Sequence, residues 1–473
     1  MRPPAQTRAA PARSKPWRAA SAGAMALAIA AGGAGAASPA GAQYISFIRD
    51  TEIETLLGEY ARPIFRAAGL GSQRVAMRIV KHDSFNAFVL DGRNVFVHTG
   101  TLQQSETPNQ VIGVIAHEAG HIAGGHLAQL RERIARDQTK SLLIKLLGIG
   151  LIVAGGAGGA GSGATGAGAG VVVGGDELLM RSLLTDRRAQ ESSADQAGLR
   201  FLQSTKQSGR GMLETFERFA QQEYISASGA TQDAFARSHP VAANRLAQLR
   251  DAVAKSQFAN DKDPAALQLR HDLMRAKLSG YLDRPQVTFN RYPQSDKSLP
   301  ARYARAIARF FQGGLEPAMP EVEALIREQP SNPYFHEVKG DFLMRTGKAK
   351  EAIPSIRTAL KLAGDAPLIS VRLAQALISA DDVKGLDEAI ALSRRSIIED
   401  PDAQAYRLLA SGYHKKGQTP EADLAIAEAH FLEGDVKQAK IFAKRSQRGL
   451  KNGSPESIRA SDIVSYKGPA GPL

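Results

Sequence analysis

Apolar residues recur at helical spacing in the segment that begins at Thr107. The positions on this face are Val111, Ile112, Ile115, Ala119 and Ile122. They fall three or four apart, which predicts an amphipathic helix with one buried face. Thr107 fits the N-cap, Pro108 the first helical position and Gln110 the closing residue of a capping box. The pair Gly124 and Gly125 then loosens the helix, so we predict a buried helix of about four turns.

A different pattern precedes this helix. From Val95 to His98 the chain alternates and is rich in β-branched and aromatic residues, which predicts a β-strand. We expect it to be an edge strand. An edge strand could pair with an extended peptide backbone, so Val95, Phe96 and Val97 are candidate substrate-binding residues.

The second half of the chain contains a repeat of small residues. Ala306, Gly340, Ala374 and Ala410 follow one another after 34, 34 and 36 residues. A second series, Ala318, Ala352, Ala389 and Ala422, is spaced by 34, 37 and 33. This period, with small residues at helix-packing positions, is similar to the tetratricopeptide repeat. A generic helical bundle is the alternative, because only three or four units are present.

These patterns predict the organisation of the chain. We expect a mainly α protein, with a domain of helices and a small sheet followed by a tetratricopeptide-repeat α-solenoid. The expected parts are a signal peptide (1–42), this first domain (43–254), a linker (255–300), a repeat domain (301–450) and a disordered tail (451–473). Within the linker, His271 to Leu282 is predicted to be a helix.

The predicted buried helix carries candidate chemistry. It contains His117, Glu118 and His121 in a His-Glu-x-x-His pattern. Residues four apart share one face of a helix, so the two imidazoles can hold one Zn²⁺ while Glu118 acts as general base. Buried imidazoles and a buried carboxylate without partners would be costly, which favours a metal site. His126 is off this face and is predicted to be structural.

A catalytic zinc usually has three protein ligands, so a later element should supply the third. The best candidate is Glu191, in a segment that is predicted to be helical. Asp195 lies one turn further on and could accept a hydrogen bond from the far nitrogen of a ligand histidine. By themselves these two residues would favour a solvated acidic pair; together with the upstream motif they favour a metal site.

Four features together resemble the HtpX and CAAX-prenyl-endopeptidase superfamily of zinc metallopeptidases, in its soluble bacterial branch with tetratricopeptide repeats. The first runs from Asn86-Ala87-Phe88 through Asp91-Gly92 to the strand and Gly100. The helix with His117 and the pair Glu191 and Asp195 are the next two. The last is Ser238-His239-Pro240 followed by Arg245. The resemblance covers about residues 45 to 250, with repeats beyond. It implies that residues 43–254 form a zincin-like metallopeptidase domain.

The resemblance implies roles for individual residues. His117, His121 and Glu191 would bind one Zn²⁺ per chain, and Glu118 would be the general base. His239 and Arg245 would lie near the metal, where His239 would stabilise the oxyanion or block the zinc in a resting state. From the residues alone, His239 is only a restricted loop residue before a proline. A His₂Glu site also accepts divalent ions other than zinc.

The N-terminus has the layout of a signal peptide. Five basic residues and no acidic ones occur in the first 42, followed by an Ala/Gly-rich stretch and the small residues Ala40-Gly41-Ala42. We therefore expect export to the periplasm; a mitochondrial transit peptide is the alternative. Removal of this segment lowers the net charge from +13 to +8. The charge favours acidic partners or peripheral contact with an anionic membrane, and no nucleic-acid-binding motif is present.

Composition narrows the chemistry further. The chain has no cysteine, which excludes thiol catalysis, disulfides and lipoprotein anchoring.

The 30 residues from Leu146 to Gly175 carry no charge and include 13 glycines. Three alternatives remain for this stretch: a flexible loop over the active site, a membrane-dipping hairpin, and a close-packed pair of Gly-rich helices.

The resemblance implies a function in quality control of outer-membrane protein assembly. Unfolded or misassembled outer-membrane proteins would be the substrates, and the repeats would dock on the assembly machinery. The alternative is a chaperone-like scaffold whose protease is latent. An integral membrane peptidase for prenylated substrates is disfavoured, because the chain lacks several long apolar spans.

Overall fold

The computed structural model describes residues 46–136, 175–226, 238–239 and 243–468, with the exceptions of 74, 91 and 381–383. The predicted signal peptide and residues 146–174 of the Gly-rich stretch lie outside the described residues. Among the helices that are described, none is both long and apolar enough to cross a membrane. The predicted mainly helical fold with a small sheet and a C-terminal repeat array is confirmed.

The small sheet has four strands in the described part of the chain. They are β1 (Phe47–Ile48), β2 (Ala76–Val80), β3 (Ala87–Val89) and β4 (Asn94–His98), in the order β1-β2-β4-β3. β4 is parallel to β2 and antiparallel to β3.

The strand predicted at 95–98 is present as β4, but the expectation of an edge strand is wrong. Val95 pairs with Met77 on one side and Val89 on the other. The backbone of Val95, Phe96 and Val97 therefore already has partners on both sides. Alternation of residue types cannot reveal this, because it reports which face is buried and not how many neighbours a strand has. The strands at the two ends of the sheet are β1 and β3, and β3 is the one that pairs with β4.

The first half of the chain surrounds one helix. The helices are α1 (Thr51–Ala67), α2 (Thr99–Gln104), α3 (Pro108–Ala123), α4 (His126–Arg136), α5 (Gly175–Ser204), α6 (Arg210–Ser226) and α7 (Ala243–Ala254). Every residue from Val111 to Gly120 on α3 is buried, because α1, α5 and α6 all pack against it.

The start of α3 follows the predicted capping pattern with one difference. Thr107 Oγ1 accepts a hydrogen bond from the backbone N–H of Gln110 at 3.4 Å. The side chain of Gln110 accepts from the backbone of Glu106 at 2.7 Å, one residue before the N-cap. Both bonds satisfy donors at the helix start and fix where α3 begins.

Residues 255–300 are not an open linker. They contain α8 (Ala265–Leu282), which includes the predicted helix, and α9 (Pro285–Arg291). Met274 and Leu278 of α8 belong to the core around α3, whereas Leu273 and Ala276 belong to the core of the first repeat. The helix is therefore a wall shared by the two halves, a role that its weak amphipathic pattern does not indicate.

The repeat array follows as consecutive helices. They are α10 (Leu299–Gly313), α11 (Leu315–Glu328), α12 (Pro333–Arg345), α13 (Ala349–Leu362), α14 (Pro367–Ser379), α15 (Gly385–Glu399), α16 (Ala403–Lys415), α17 (Thr419–Leu432), α18 (Val436–Ser446) and α19 (Pro455–Ser465). All eight small residues of the two predicted series are buried. At Gly340 an added Cβ would lie 2.3 Å from Ile356 Cγ1, so the small residues allow the helices to approach closely.

The tail predicted to be disordered contains α19. Ser454 caps this helix, and Ala460 and Ile463 are buried against the last repeat. The expectation of disorder from residue 451 is therefore wrong over Pro455–Ser465. Proline and glycine near the chain end suggested it, but two buried apolar residues on one helix face outweigh them.

The two halves also meet through buried charges. Lys277 on α8 is 3% exposed and lies 2.7 Å from Asp50, 3.2 Å from Glu52 and 3.7 Å from Glu337. Asp50 and Glu52 stand at the start of α1, and Glu337 belongs to the second repeat. We call these four residues the junction cluster.

Two further side chains complete the surroundings of the junction cluster. Tyr303 donates to Glu52 at 3.1 Å, and Arg372 lies 3.1 Å from Glu337. Burial raises the pKa of Glu52 to about 7, although Lys277 partly opposes this. Burial works against the charge of Lys277, but the carboxylates around it hold its pKa well above its usual value.

Candidate metal centre

Four side chains that are distant in sequence meet beside α3. His117 and His121 lie one turn apart on α3, Glu191 lies on α5, and His239 follows a segment outside the described residues. One possible ligand atom from each lies within 4.8 Å of all the others. We call these four residues the metal cluster. Sequence analysis predicted His117, His121 and Glu191 as ligands and His239 as a neighbour.

The distances in the metal cluster suit one small cation. His117 Nε2 lies 3.1 Å from His121 Nε2 and 3.1 Å from His239 Nδ1. Oxygens of Glu191 lie 3.4 Å from His117 Nε2, 3.5 Å from His121 Nε2 and 3.1 Å from His239 Nδ1. Four ligands at tetrahedral positions around zinc, each about 2.0–2.1 Å away, would lie about 3.3 Å from one another. The donor set and its spacing therefore fit a metal ion.

The electrostatics of the metal cluster favour positive charge at its centre. Burial lowers the pKa of His117, but the hydrogen bonds that His117 donates to Asp195 and Glu191 overcome this and raise it to about 10. Burial raises the pKa of Glu191, but His239 and His117 hold it well below its usual value. The carboxylates thus stabilise positive charge at this place, and a bound cation would take the place of the imidazole protons there.

The far nitrogen of His117 has an anionic partner, in the place predicted for Asp195. His117 Nδ1 lies 2.9 Å from Asp195 Oδ1. Arg245 on α7 holds the same carboxylate through two hydrogen bonds, of 2.7 and 2.9 Å, and lies 3.3 Å from Glu191. This network orients His117 and anchors the carboxylate that orients it.

Glu118 is placed beside the metal cluster without belonging to it. Its side chain is 1% exposed, and Oε1 lies 3.4 Å from His239 Nε2. No hydrogen bond to Oε1 is made within the described part of the chain. Burial raises the pKa of Glu118, and His239 partly opposes this. Such a carboxylate is suited to take up a proton.

Glycine brings α5 close enough to α3 to deliver Glu191 and Asp195. A Cβ added at Gly120 would lie 2.7 Å from the backbone oxygen of Ala194, which is closer than real Cβ contacts. At Gly198 the nearest atom, the backbone carbon of Ala116, would lie 3.1 Å away. The two backbones are therefore nearly in contact at the site.

The residues around His239 are held from two sides. Ser238 Oγ donates to Asn86 Oδ1 at 3.1 Å, and Arg187 on α5 donates to the backbone oxygen of Ser238. Asn86 is itself fixed, since its backbone N–H donates to Thr101 Oγ1 at 2.7 Å. Asn86 was singled out only by the family resemblance, and no sequence signal pointed to Arg187.

One further histidine lies beside the metal cluster. His126 was predicted to be off the ligand face and structural, and it is not among the four residues of the metal cluster. It is the first residue of α4, and its Nδ1 lies 3.0 Å from Nδ1 of His121. The periodicity of α3 does not extend to His126, because the helix is interrupted at Gly124 and Gly125. The paired glycines were the available signal.

Comparisons with known proteins agree with this geometry. Residues 48–253 match the family described as Peptidase family M48. The chain is 25% identical over 391 residues to the Beta-barrel assembly-enhancing protease of Escherichia coli K12, covering 80% of this chain and 76% of that protein. It is 27% identical over 198 residues to Metalloprotease LoiP of the same organism, covering 41% of this chain and 70% of that protein.

The solved structure of MamA MSR-1 C2 shows a partial likeness, with 21% identity and a TM-score of 0.30 over 35% of this chain and 93% of that chain. Residues 48–253 thus resemble the peptidase domain of family M48. With the protease relatives and the metal cluster, this match identifies the chain as a metallopeptidase.

Proposed function

We propose that this protein is a zinc-dependent metalloendopeptidase of the periplasm that acts in quality control of outer-membrane protein assembly. The observation that carries the catalytic part is the tetrahedral spacing of the ligand atoms of His117, His121, Glu191 and His239 around one point. His117, His121 and Glu191 would be the permanent ligands of one zinc ion per chain.

Each residue has a definite task in this proposal. When bound, zinc lowers the pKa of a water molecule and polarises the scissile carbonyl. Glu118 takes the proton of the attacking water and later passes it to the leaving amine. Asp195, held by Arg245, keeps His117 in the tautomer that offers Nε2 as ligand.

His239 gives the site a resting state. Its Nδ1 stands at the fourth ligand position, which a catalytic zinc site keeps open. His239 must therefore move away before substrate binds. Once displaced, it remains near enough to donate to the tetrahedral oxyanion through a ring nitrogen. Release of His239 is then the step that commits the enzyme to cleavage.

The substrate would bind as an extended chain beside β3. Val95, Phe96 and Val97 lie on an inner strand, so the backbone hydrogen bonds first assigned to them fall to Ala87–Val89. Asn86, which precedes β3, contacts Ser238, the residue before His239. A peptide paired with β3 would thus run past the metal cluster, and selection would depend on unfolded backbone more than on side chains.

The cellular role is supported by relatives and by the repeats. Two relatives are beta-barrel assembly-enhancing proteases, from Escherichia coli K12 and Yersinia pestis, each 25% identical. Helical repeat arrays present surfaces for protein binding. Unfolded or misassembled outer-membrane proteins are the proposed substrates, and the assembly machinery is the proposed partner of the repeats. The N-terminal layout supports export, with peripheral membrane contact through the positive charge.

A second candidate function is favoured by His239. A site with four protein ligands is closed, as structural zinc sites are. The protein could then act as a chaperone-like scaffold in which the protease stays latent. A Glu118→Gln variant distinguishes the two, since a scaffold function in cells survives this change and a proteolytic function does not.

Metal analysis tests the site itself. Elemental analysis of purified mature protein should find one zinc per chain in the wild type and none in His117→Ala or Glu191→Ala. His239→Ala should retain zinc, because three ligands remain. Retention of zinc by Glu191→Ala would show that the third ligand is a different residue. Absence of zinc from the reconstituted wild type would overturn the proposal.

A further inference from the structure

The two ligand histidines of α3 have different partners at their far nitrogens. His117 Nδ1 faces the carboxylate of Asp195 at 2.9 Å. His121 Nδ1 faces the imidazole of His126, with 3.0 Å between the two Nδ1 atoms. The rings of His121 and His126 meet edge to face, at 81° and with centroids 5.1 Å apart. We propose that His126 is a positioning residue that orients His121 for metal binding; this inference depends on the metal site proposed above.

The direction of the hydrogen bond follows from the ligand atom. Nε2 of His121 is the nitrogen that points toward His117 and Glu191, so it must offer its lone pair to the metal. A neutral imidazole then carries its proton on Nδ1. His121 Nδ1–H therefore donates, and Nδ1 of His126 must accept. Accepting fixes His126 as the neutral tautomer with its proton on Nε2.

The backbone is shaped to hold the ring of His126 in this place. A Cβ added at Gly124 would lie 2.4 Å from His126 Nε2 and 2.9 Å from its Cδ2, so the ring lies directly over the Gly124 backbone. Gly125 has φ of +63°, a conformation that interrupts the helix between α3 and α4. Gln129 donates to the backbone oxygen of Gly124 at 3.1 Å and closes the turn. His126 is 7% exposed as a result.

The contact between His126 and His121 affects metal binding in a way that packing alone would not. Without an acceptor at this point, His121 could rotate or shift its proton to Nε2, and both changes remove the ligand lone pair. Asp195 prevents this for His117, and His126 prevents it for His121. Loss of such an orienting partner typically weakens metal binding by about 10- to 100-fold.

The test compares zinc affinity in variants of the full mature chain. Asn and Leu have the same branched shape, and Asn Oδ1 can accept a hydrogen bond near the position of Nδ1. We expect His126→Leu to raise the zinc dissociation constant about 10- to 100-fold, measured by competition with a chelator. His126→Asn should recover most of that loss. The absorption spectrum of the cobalt-substituted protein should change in the Leu variant and return toward the wild type in the Asn variant.

Gly124→Ala is the second route to the same effect. It leaves His126 in the sequence but displaces the ring, so it should weaken zinc binding and change the cobalt spectrum as His126→Leu does.

Two results would overturn the inference about His126. One is a His126→Leu variant with the zinc affinity of the wild type. The other is equal weakening by Leu and Asn with an unchanged cobalt spectrum, which would indicate packing instead of hydrogen bonding. A wild-type protein that binds no zinc, or binds it equally well as His117→Ala, would overturn the metal site and this inference together.

Discussion

The metal cluster and the junction cluster are both buried assemblies of charged residues, but they are built in opposite ways. In the junction cluster a lysine stands among Asp50, Glu52 and Glu337, so the cation is part of the chain. In the metal cluster ring nitrogens and a carboxylate of Glu191 converge, and among the described residues no lysine or arginine stands at their centre. Arg245 lies to one side, bound mainly to Asp195.

This difference separates a structural charge cluster from a reactive one. Burial perturbs pKa values in both, upward for Glu52 and upward for Glu118. A shifted pKa therefore does not by itself mark a catalytic site. What distinguishes the metal cluster is that its ligand atoms point at one shared position that the chain leaves for a cation. The junction cluster offers no such position, because Lys277 Nζ already fills it.

The largest expected effect is on catalysis. Glu118→Gln should keep zinc and lower kcat/KM on an unfolded protein substrate by about 10²- to 10⁴-fold, because the general base is lost. Glu337→Gln is a matched control, since it neutralises an equally buried carboxylate of the junction cluster. Its folded fraction should cleave at the wild-type rate. Wild-type turnover by Glu118→Gln would assign the proton transfer to another group.

The next effect is on stability. Lys277→Met should lower the free energy of unfolding by about 3–5 kcal/mol, because it leaves three buried carboxylates without their cation. Urea unfolding measures this change, and zinc affinity of the folded protein should not alter. The double variant Lys277→Met/Glu337→Gln should be less destabilised than the single one. If the single and the double variant have the same free energy of unfolding, Lys277 does not stabilise the buried carboxylates.

The junction cluster should also make the free energy of unfolding depend on pH. Burial raises the pKa of Glu52 from 4.5 to about 7 in the folded protein. The folded state thus binds a proton more tightly than the unfolded state does, so this contribution to stability is complete below pH 4.5 and is lost as the pH rises through 7. Relative to Glu52→Gln, the wild type should lose up to about 3 kcal/mol across this range.

The difference between the two proteins is the quantity to measure, by urea unfolding from pH 4.5 to 8 at fixed zinc concentration. The pH-dependent contributions of groups elsewhere, including the metal cluster, then cancel in this difference. A difference that grows in the opposite direction with pH would mean that Glu52 is held ionised in the folded protein.

The smallest effect concerns the contact between α3 and α5. Gly120→Ala forces a Cβ against the backbone oxygen of Ala194, where the gap is 2.7 Å. We expect a loss of about 1–3 kcal/mol in unfolding free energy and weaker zinc binding, because α5 carries Glu191. Gly198→Ala meets the α3 backbone at 3.1 Å and should cost less. Equal zinc affinity in Gly120→Ala and the wild type would show that this contact does not position Glu191.

Local patterns predicted those features that depend on near neighbours in the chain. The buried face of α3 follows from its spacing of apolar residues, and the small residues at Gly340 and Ala374 gave the period of the repeats. The sequence also predicts a helix pair over Tyr334 to Arg345 and Ala349 to Leu362, and α12 and α13 begin and end within one residue of these bounds. The pair His117 and His121 shares a face because helix pitch fixes it.

Features that depend on packing were predicted less well. The family resemblance pointed to His239, but its residue pattern alone indicated only a loop. The contact of His126 with His121 was not predicted, and β4 was expected at the edge of the sheet. Helix α8 was placed in a linker, although its residues Met274 and Lys277 are buried. Each of these outcomes depends on contacts between residues distant in the chain.

The sequence by itself determined the chemistry that is available: two histidines and a glutamate on one helix, an acidic pair downstream, a small-residue repeat and no thiol. Tertiary structure decided how that chemistry is assembled. It placed Glu191 against α3 through the near contact of Gly120 with Ala194, brought His239 into the metal cluster and brought His126 into contact with His121. The physical reason is the distance along the chain over which the deciding contacts act. Helix pitch is set by hydrogen bonds between residues four apart, whereas a metal site requires several distant elements to fit within a few tenths of an ångström.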